Sequence, residues 1–186
     1  MREADMNIST VLCWVLAAWL PAAWAADDPA ASRQAFGEVA RVLQSPRCLN
    51  CHTVTDFPRQ GDDRHPHQQM IKRGPANMGH PSLMCLACHQ TANSADGAVP
   101  GAPSWRLAPL SMGWEGLSAG QLCRSLVNKK QNGGRGVPEL VAHMTTDPLV
   151  QWAWQPGGRR TLPPLSQRDF HDAVRRWADT GAYCPK

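Results

Sequence analysis

Arg47-Cys48-Leu49-Asn50-Cys51-His52 and Met84-Cys85-Leu86-Ala87-Cys88-His89 are the two stretches on which the reading of this chain turns. Each contains C-x-x-C-H. Cysteines three positions apart lie one helical turn from each other and project to the same side. The histidine that follows sets an imidazole beside them. Two sulfurs so placed can each add to a vinyl group of one haem while the imidazole takes the iron, which is why the pattern reads as c-type haem attachment. Its repetition predicts two haem c groups. Cys48 and Cys51 would hold the first and Cys85 and Cys88 the second, with His52 and His89 as proximal iron ligands.

Two other chemistries use paired cysteines. Four thiolates in two C-x-x-C pairs can build a closed zinc site, but such a site does not require a histidine directly after both pairs. A thioredoxin-like dithiol is the second alternative, and no strand–helix alternation surrounds either motif to support it.

The rest of the composition limits the field. In 186 residues the formal charge is only +4, and the Lys and Arg residues are scattered, so nucleic acid is not an expected partner. Residues 8–20 form an apolar run followed by Pro21 and by Ala23-Trp24-Ala25, then Asp27-Asp28. This predicts a signal peptide over residues 1–26, cleaved near Ala25 or Ala26, and a periplasmic protein. A membrane attachment is expected only if that segment is retained as an anchor. Taking away Arg2, Glu3 and Asp5 leaves 18 basic and 13 acidic residues, a formal +5, in residues 27–186. Beyond the two motifs, Cys123 and Cys184 remain as an even pair. In an oxidising compartment they are expected to form a disulfide.

Periodicity predicts helices and long irregular stretches. Phe36, Val39, Ala40 and Leu43 mark one face of a helix over residues 30–44, with Ser32 as a candidate cap. Residues 53–81 are punctuated by Pro58, Gly61, Pro66, Gly74, Pro75, Gly79 and Pro81 and read as a long loop without strands, of the kind that wraps a ligand. A short helix is expected over residues 118–129, with Leu117, Gln121, Leu122, Ser125 and Leu126 near one face, and a helical turn over 138–144 with Pro138 at its first position. Ser166 with Asp169 resembles a capping box for a last helix carrying Phe170, Val174, Trp177 and Ala178 and ended by Gly181. The fold class expected is all-α with extensive irregular loops, residues 27–186 forming one domain organised around two covalent haems.

A helix, then C-x-x-C-H, and a final helix ending in an aromatic and a Gly-Ala pair resembles the class I cytochrome c arrangement. The resemblance implies that the first and last helices cross, with Phe36-Gly37 and Trp177 at the crossing. That family takes its sixth iron ligand from a Met before the last helix; here the stretch is Thr161-Leu162-Pro163-Pro164, and Leu162 cannot ligate iron. The segments 100–105, 132–135 and 147–154 are similar to small bacterial di-haem proteins labelled as isoquinoline 1-oxidoreductase subunits. This implies a cytochrome partner of a dehydrogenase or molybdenum hydroxylase.

The remaining iron positions need ligands from elsewhere. His67, in the long loop after the first motif, is the candidate where the chain passes over a haem, with His65 a neighbour that could serve instead. His143 is the candidate for the second iron and Met112, in Leu110-Ser111-Met112-Gly113, its rival. His80 lies too close to the second motif to fold back over its haem, and His171 reads as half-exposed. Arg106 and Arg135 are the candidate partners of haem propionates; Arg73, Arg159 and Arg160 read as solvated charges. Trp105, Trp114, Trp152, Trp154 and Trp177 suit either cofactor-pocket walls or core packing. The function expected is electron transfer between a redox protein donor and acceptor. The alternatives are a peroxidase-like di-haem enzyme with one open iron, or a haem-based sensor.

Overall fold

The computed structural model describes residues 27–186; the expected signal peptide, residues 1–26, lies outside the described residues. The chain is mostly helical, with a few very short strands and long irregular loops. Among the described residues no helix is long and apolar enough to cross a membrane.

The first helix, α1 (Pro29–Leu43), begins where Asp28 caps it. The Asp28 carboxylate accepts the N–H groups of Ala30 and Ala31, each at 3.0 Å, and Pro29 follows at the position where a missing N–H costs nothing. Ser32, the cap expected from the sequence, lies inside the helix and is fully buried. Its hydroxyl donates to the Trp177 carbonyl at 3.0 Å and accepts the Tyr183 N–H at 2.8 Å, tying α1 to the C-terminal segment.

The last helix, α6 (Gln167–Asp179), is capped by Ser166, whose hydroxyl accepts the Asp169 N–H at 3.1 Å. Phe170, Ala173, Val174 and Trp177 are buried along one face, which packs on Phe36, Val39 and Ala40 of α1. The rings of Phe36 and Trp177 meet at 5.4 Å. Gly37 is not part of this contact, because a Cβ there would meet nothing within 4 Å. Gly181 ends the helix at φ +105°, a conformation that favours glycine.

Between these two lie α2 (Pro46–Leu49), α3 (Ala119–Val127), α4 (Val137–Thr146) and α5 (Pro148–Gln151). Ser118 and Gln121 form a reciprocal capping box on α3, so Gln121 faces solvent and serves the cap; Gly120, Leu122, Cys123, Ser125 and Leu126 turn inward. Cys123 is bonded to Cys184, with the Cα atoms 5.4 Å apart, which fastens α3 to the segment after α6. Helix α4 starts one residue before Pro138 and extends to Thr146, longer than the single turn expected. Residues 152–154 form a 3-10 turn.

The loop after the first motif is not free of strands. It holds two antiparallel hairpins of two-residue strands, β1 (Arg59–Gln60) with β2 (His65–Pro66) and β3 (Gly79–His80) with β4 (Leu83–Met84). Two residues are too few to show an alternating pattern, so no sequence signal marks them. Gly74 is required here, since a Cβ would come within 2.0 Å of the Gly79 carbonyl oxygen. Arg73 is buried rather than solvated. It donates to Asn77 Oδ1 at 3.0 Å, to the carbonyls of Thr53 at 3.2 Å and Thr55 at 3.1 Å, and to that of Ala108, so one guanidinium does the organising that a sheet would otherwise do. Arg160 acts similarly, donating to the carbonyls of Gly97, Ala98, Pro156 and Gly157.

Candidate functional site

The two motifs adopt the same local backbone. In the first, the N–H groups of Cys51 and His52 both donate to the Cys48 carbonyl, at 3.2 and 2.9 Å. In the second, those of Cys88 and His89 both donate to the Cys85 carbonyl, at 3.2 and 3.0 Å. Each motif is therefore one tight helical turn, begun by α2 in the first case and formed by a 3-10 turn over Cys85–Ala87 in the second. Among the described residues all four thiols are unpaired.

Each motif opens onto its own cavity. The first, of about 510 Å³, is lined by Cys48, Cys51 and His52 and by His143 and Met144 of α4. The second, of about 350 Å³, is lined by Cys85, Cys88, His89 and His67. Both volumes fall in the range of about 300–1,000 Å³ typical of small-molecule and cofactor sites. Arg47, Cys51, Trp105, Arg106, Leu107 and Trp152 line both, so the cavities share a wall.

The motif histidines are held alike. His52 Nδ1 donates to the Met112 carbonyl at 2.9 Å, and His89 Nδ1 donates to the Pro100 carbonyl at 2.7 Å. A carbonyl only accepts, so each Nδ1 carries the proton. Burial keeps both rings neutral: it pushes the His52 pKa down to about 3 and lowers that of His89. The lone pair is then left on Nε2, the form in which imidazole binds a metal. A tryptophan backs each ring. Trp114 stacks on His52 with ring centres 3.4 Å apart, and Trp105 stacks on His89 at 4.6 Å.

Those tryptophans were visible in the sequence only as an excess of the residue type. Trp105, Trp114 and Trp152 border the cavities, whereas Trp154 and Trp177 pack in the core. Asn93 had no sequence signal. Its Oδ1 accepts from Gly101 N–H at 2.9 Å and Trp152 Nε1 at 2.8 Å, and its Nδ2 donates to the Gln155 carbonyl at 2.8 Å, which binds the loop after the second motif to the 152–154 turn.

The remaining candidates fall differently from the expectation. His143 shares the cavity of the first motif rather than the second, and its Nδ1 donates to Asp147 Oδ2 at 3.0 Å. His67 shares the cavity of the second motif rather than the one its loop follows. Met112 lies in the first cavity and behind His52, its own carbonyl bound to that ring, so it is not placed as a rival of His143 across from the second motif. His65 lines neither cavity and pairs with Asp63 at 2.6 Å. His80 is exposed and bonded to Ser82; His171 Nε2 is bonded to Gln151 Oε1. Arg135 lines the first cavity while donating to the Asn132 carbonyl at 2.8 Å. Arg106 lines both, is exposed, and makes no side-chain hydrogen bond or ion pair among the described residues.

The residues present fit two covalently attached haems. Each cavity has a pair of thiols on one turn, a neutral motif histidine, and a second histidine in its lining. Alternatives fit less well. Among the described residues no three His, Cys, Asp or Glu side chains converge to hold a metal ion, so the four thiols do not make a closed zinc site. Burial pushes the Cys48 thiol up to about 12 and Cys51 up to about 11, the reverse of what a reactive dithiol needs.

No family model, curated protein or solved structure matches this chain.

Proposed function

We propose that this protein is an exported, periplasmic electron-transfer protein, a di-haem c-type cytochrome whose mostly helical fold is organised around the two cofactors. The observation that carries the reading is the duplicated arrangement around His52 and His89: the same backbone turn, the same Nδ1–H to carbonyl bond, the same stacked tryptophan and a separate cavity for each. Cys48 and Cys51 would hold one haem and Cys85 and Cys88 the other. Bound there, each haem supplies a one-electron couple.

The chain's own residues then do three things. His52 and His89 offer Nε2 at a fixed orientation, because a carbonyl and an indole hold each ring. Trp105, Trp114 and the apolar lining exclude water. Arg106, exposed on the wall common to both cavities and without another partner among the described residues, is the residue best placed to neutralise propionates, with Arg135 beside the first cavity. The Cys123–Cys184 disulfide supports an oxidising compartment. A role as the cytochrome partner of a dehydrogenase or molybdenum hydroxylase follows from the resemblance of segments 100–105, 132–135 and 147–154.

A pyridine haemochrome assay on protein produced with a haem-attachment system tests the proposal. Two haems per chain are expected; none, with zinc bound instead, overturns it.

A further inference from the structure

His67 belongs by sequence to the loop that leaves the first motif, yet it faces the histidine of the second. The ring centres of His67 and His89 are 6.1 Å apart, and their planes are inclined at 73°. Both rings line the second cavity, with Cys85 and Cys88 on the same backbone turn as His89. Two imidazoles bound on opposite sides of one first-row metal ion, each at about 2 Å, place their ring centres about 6 Å apart. The observed separation therefore leaves room for one iron and no more.

The placement of His67 is built rather than incidental. Its backbone N–H donates to the Pro58 carbonyl at 3.1 Å and its carbonyl accepts the Met70 N–H at 3.0 Å, directly after the β1–β2 hairpin. Among the described residues His67 Nδ1 is buried without a hydrogen-bond partner. A buried ring nitrogen left in that state is costly, and a metal ion taken by Nδ1 itself would relieve it.

The geometry points to His67 as the second axial ligand of the iron held by the Cys85-Leu86-Ala87-Cys88-His89 motif, an inference that rests on the two-haem reading above. The loop that starts from the first attachment site thereby closes over the second. This iron is six-coordinate through two histidines whose planes stand nearly perpendicular. In low-spin ferric iron, perpendicular axial planes bring two d orbitals close in energy, which concentrates the paramagnetic resonance spectrum into a single feature at large g. Parallel planes give a three-line rhombic spectrum.

The test uses the protein carrying both haems. Wild-type ferric protein should show one large-g low-spin feature. In His67→Gly the haem count should stay at two per chain while that feature is lost, a high-spin signal from one haem replaces it, and carbon monoxide binds half of the reduced haem. Added imidazole should restore the low-spin state. His143→Gly should leave the large-g feature in place. The assignment is overturned if the wild-type spectrum lacks the feature, if His67→Gly keeps both haems low-spin and closed to carbon monoxide, or if His143→Gly removes the feature instead. A haem count of zero in the wild type overturns the two-haem reading itself, so the two failures are told apart by the assay that detects them.

Discussion

His52 lies flat against Trp114, with ring centres 3.4 Å apart and planes 9° from parallel, while its Nδ1 is bonded to the carbonyl of Met112 two residues before that tryptophan. One short segment thus fixes both the tilt and the tautomer of the ring. Trp114 is itself buried, and its Nε1 has no partner among the described residues. Trp114→Ala should cost about 3–5 kcal/mol by opening a cavity in a packed region. Trp114→Phe should cost less, since it keeps a stacking ring and removes the orphaned donor. Urea unfolding of the two variants against wild type measures the difference.

Asp147 serves two neighbours at once. One carboxylate oxygen accepts the Leu149 N–H at 2.9 Å and caps α5, while the other accepts His143 Nδ1–H at 3.0 Å. Asp147→Ala removes both and should lower stability by about 1 kcal/mol or more. Asp147→Asn can keep the cap but withdraws the negative charge from His143. In haem-loaded protein the Asn variant should raise one of the two midpoint potentials and leave the other unchanged, with most of the stability retained. Redox titration followed optically reads this out, and two unaltered potentials would count against a haem bound beside His143 in the first cavity.

The disulfide closes a loop of 61 residues between Cys123 and Cys184. Restricting an unfolded chain over that distance stabilises the fold by about 4 kcal/mol. Cys123→Ala with Cys184→Ala should lower the urea midpoint accordingly, and a reductant should shift wild type toward the double variant while leaving the variant unaffected.

Arg73 is the least replaceable charge in the loop. Its guanidinium reaches Asn77 and three backbone carbonyls from one buried position, and lysine offers neither the planar fork nor enough donors. Arg73→Met strands several acceptors at about 1–3 kcal/mol each, so a loss of at least about 3 kcal/mol is expected, with Arg73→Lys only slightly milder. Thermal unfolding of both variants provides the comparison.

Part of this architecture is legible in the amino-acid order because it rests on local rules. The turn in each C-x-x-C-H and the Ser166 cap and apolar stripe of α6 follow from spacing, the pairing of Cys123 with Cys184 from an even remainder of cysteines, and the contact of Phe36 with Trp177 from the resemblance of the end helices. Other parts depend on contacts distant in sequence. Asp28 displaces Ser32 as the cap of α1 because Ser32 is used across the helix pair, by Trp177 and Tyr183. His67 lines the cavity of the second motif and His143 that of the first, the reverse of the order expected along the chain. That crossing depends on how hairpins too short to leave a pattern, and a single buried arginine, fold residues 53–81 back toward the second motif.

The wall common to the two cavities has a consequence for both. Cys51, an attachment residue of the first site, is also a boundary of the second, and Trp105, stacked on His89, also borders the first. Under the two-haem reading the same side chains bound both compartments, so a change in this wall, or the attachment of one haem at Cys51, is felt at the neighbouring site as well.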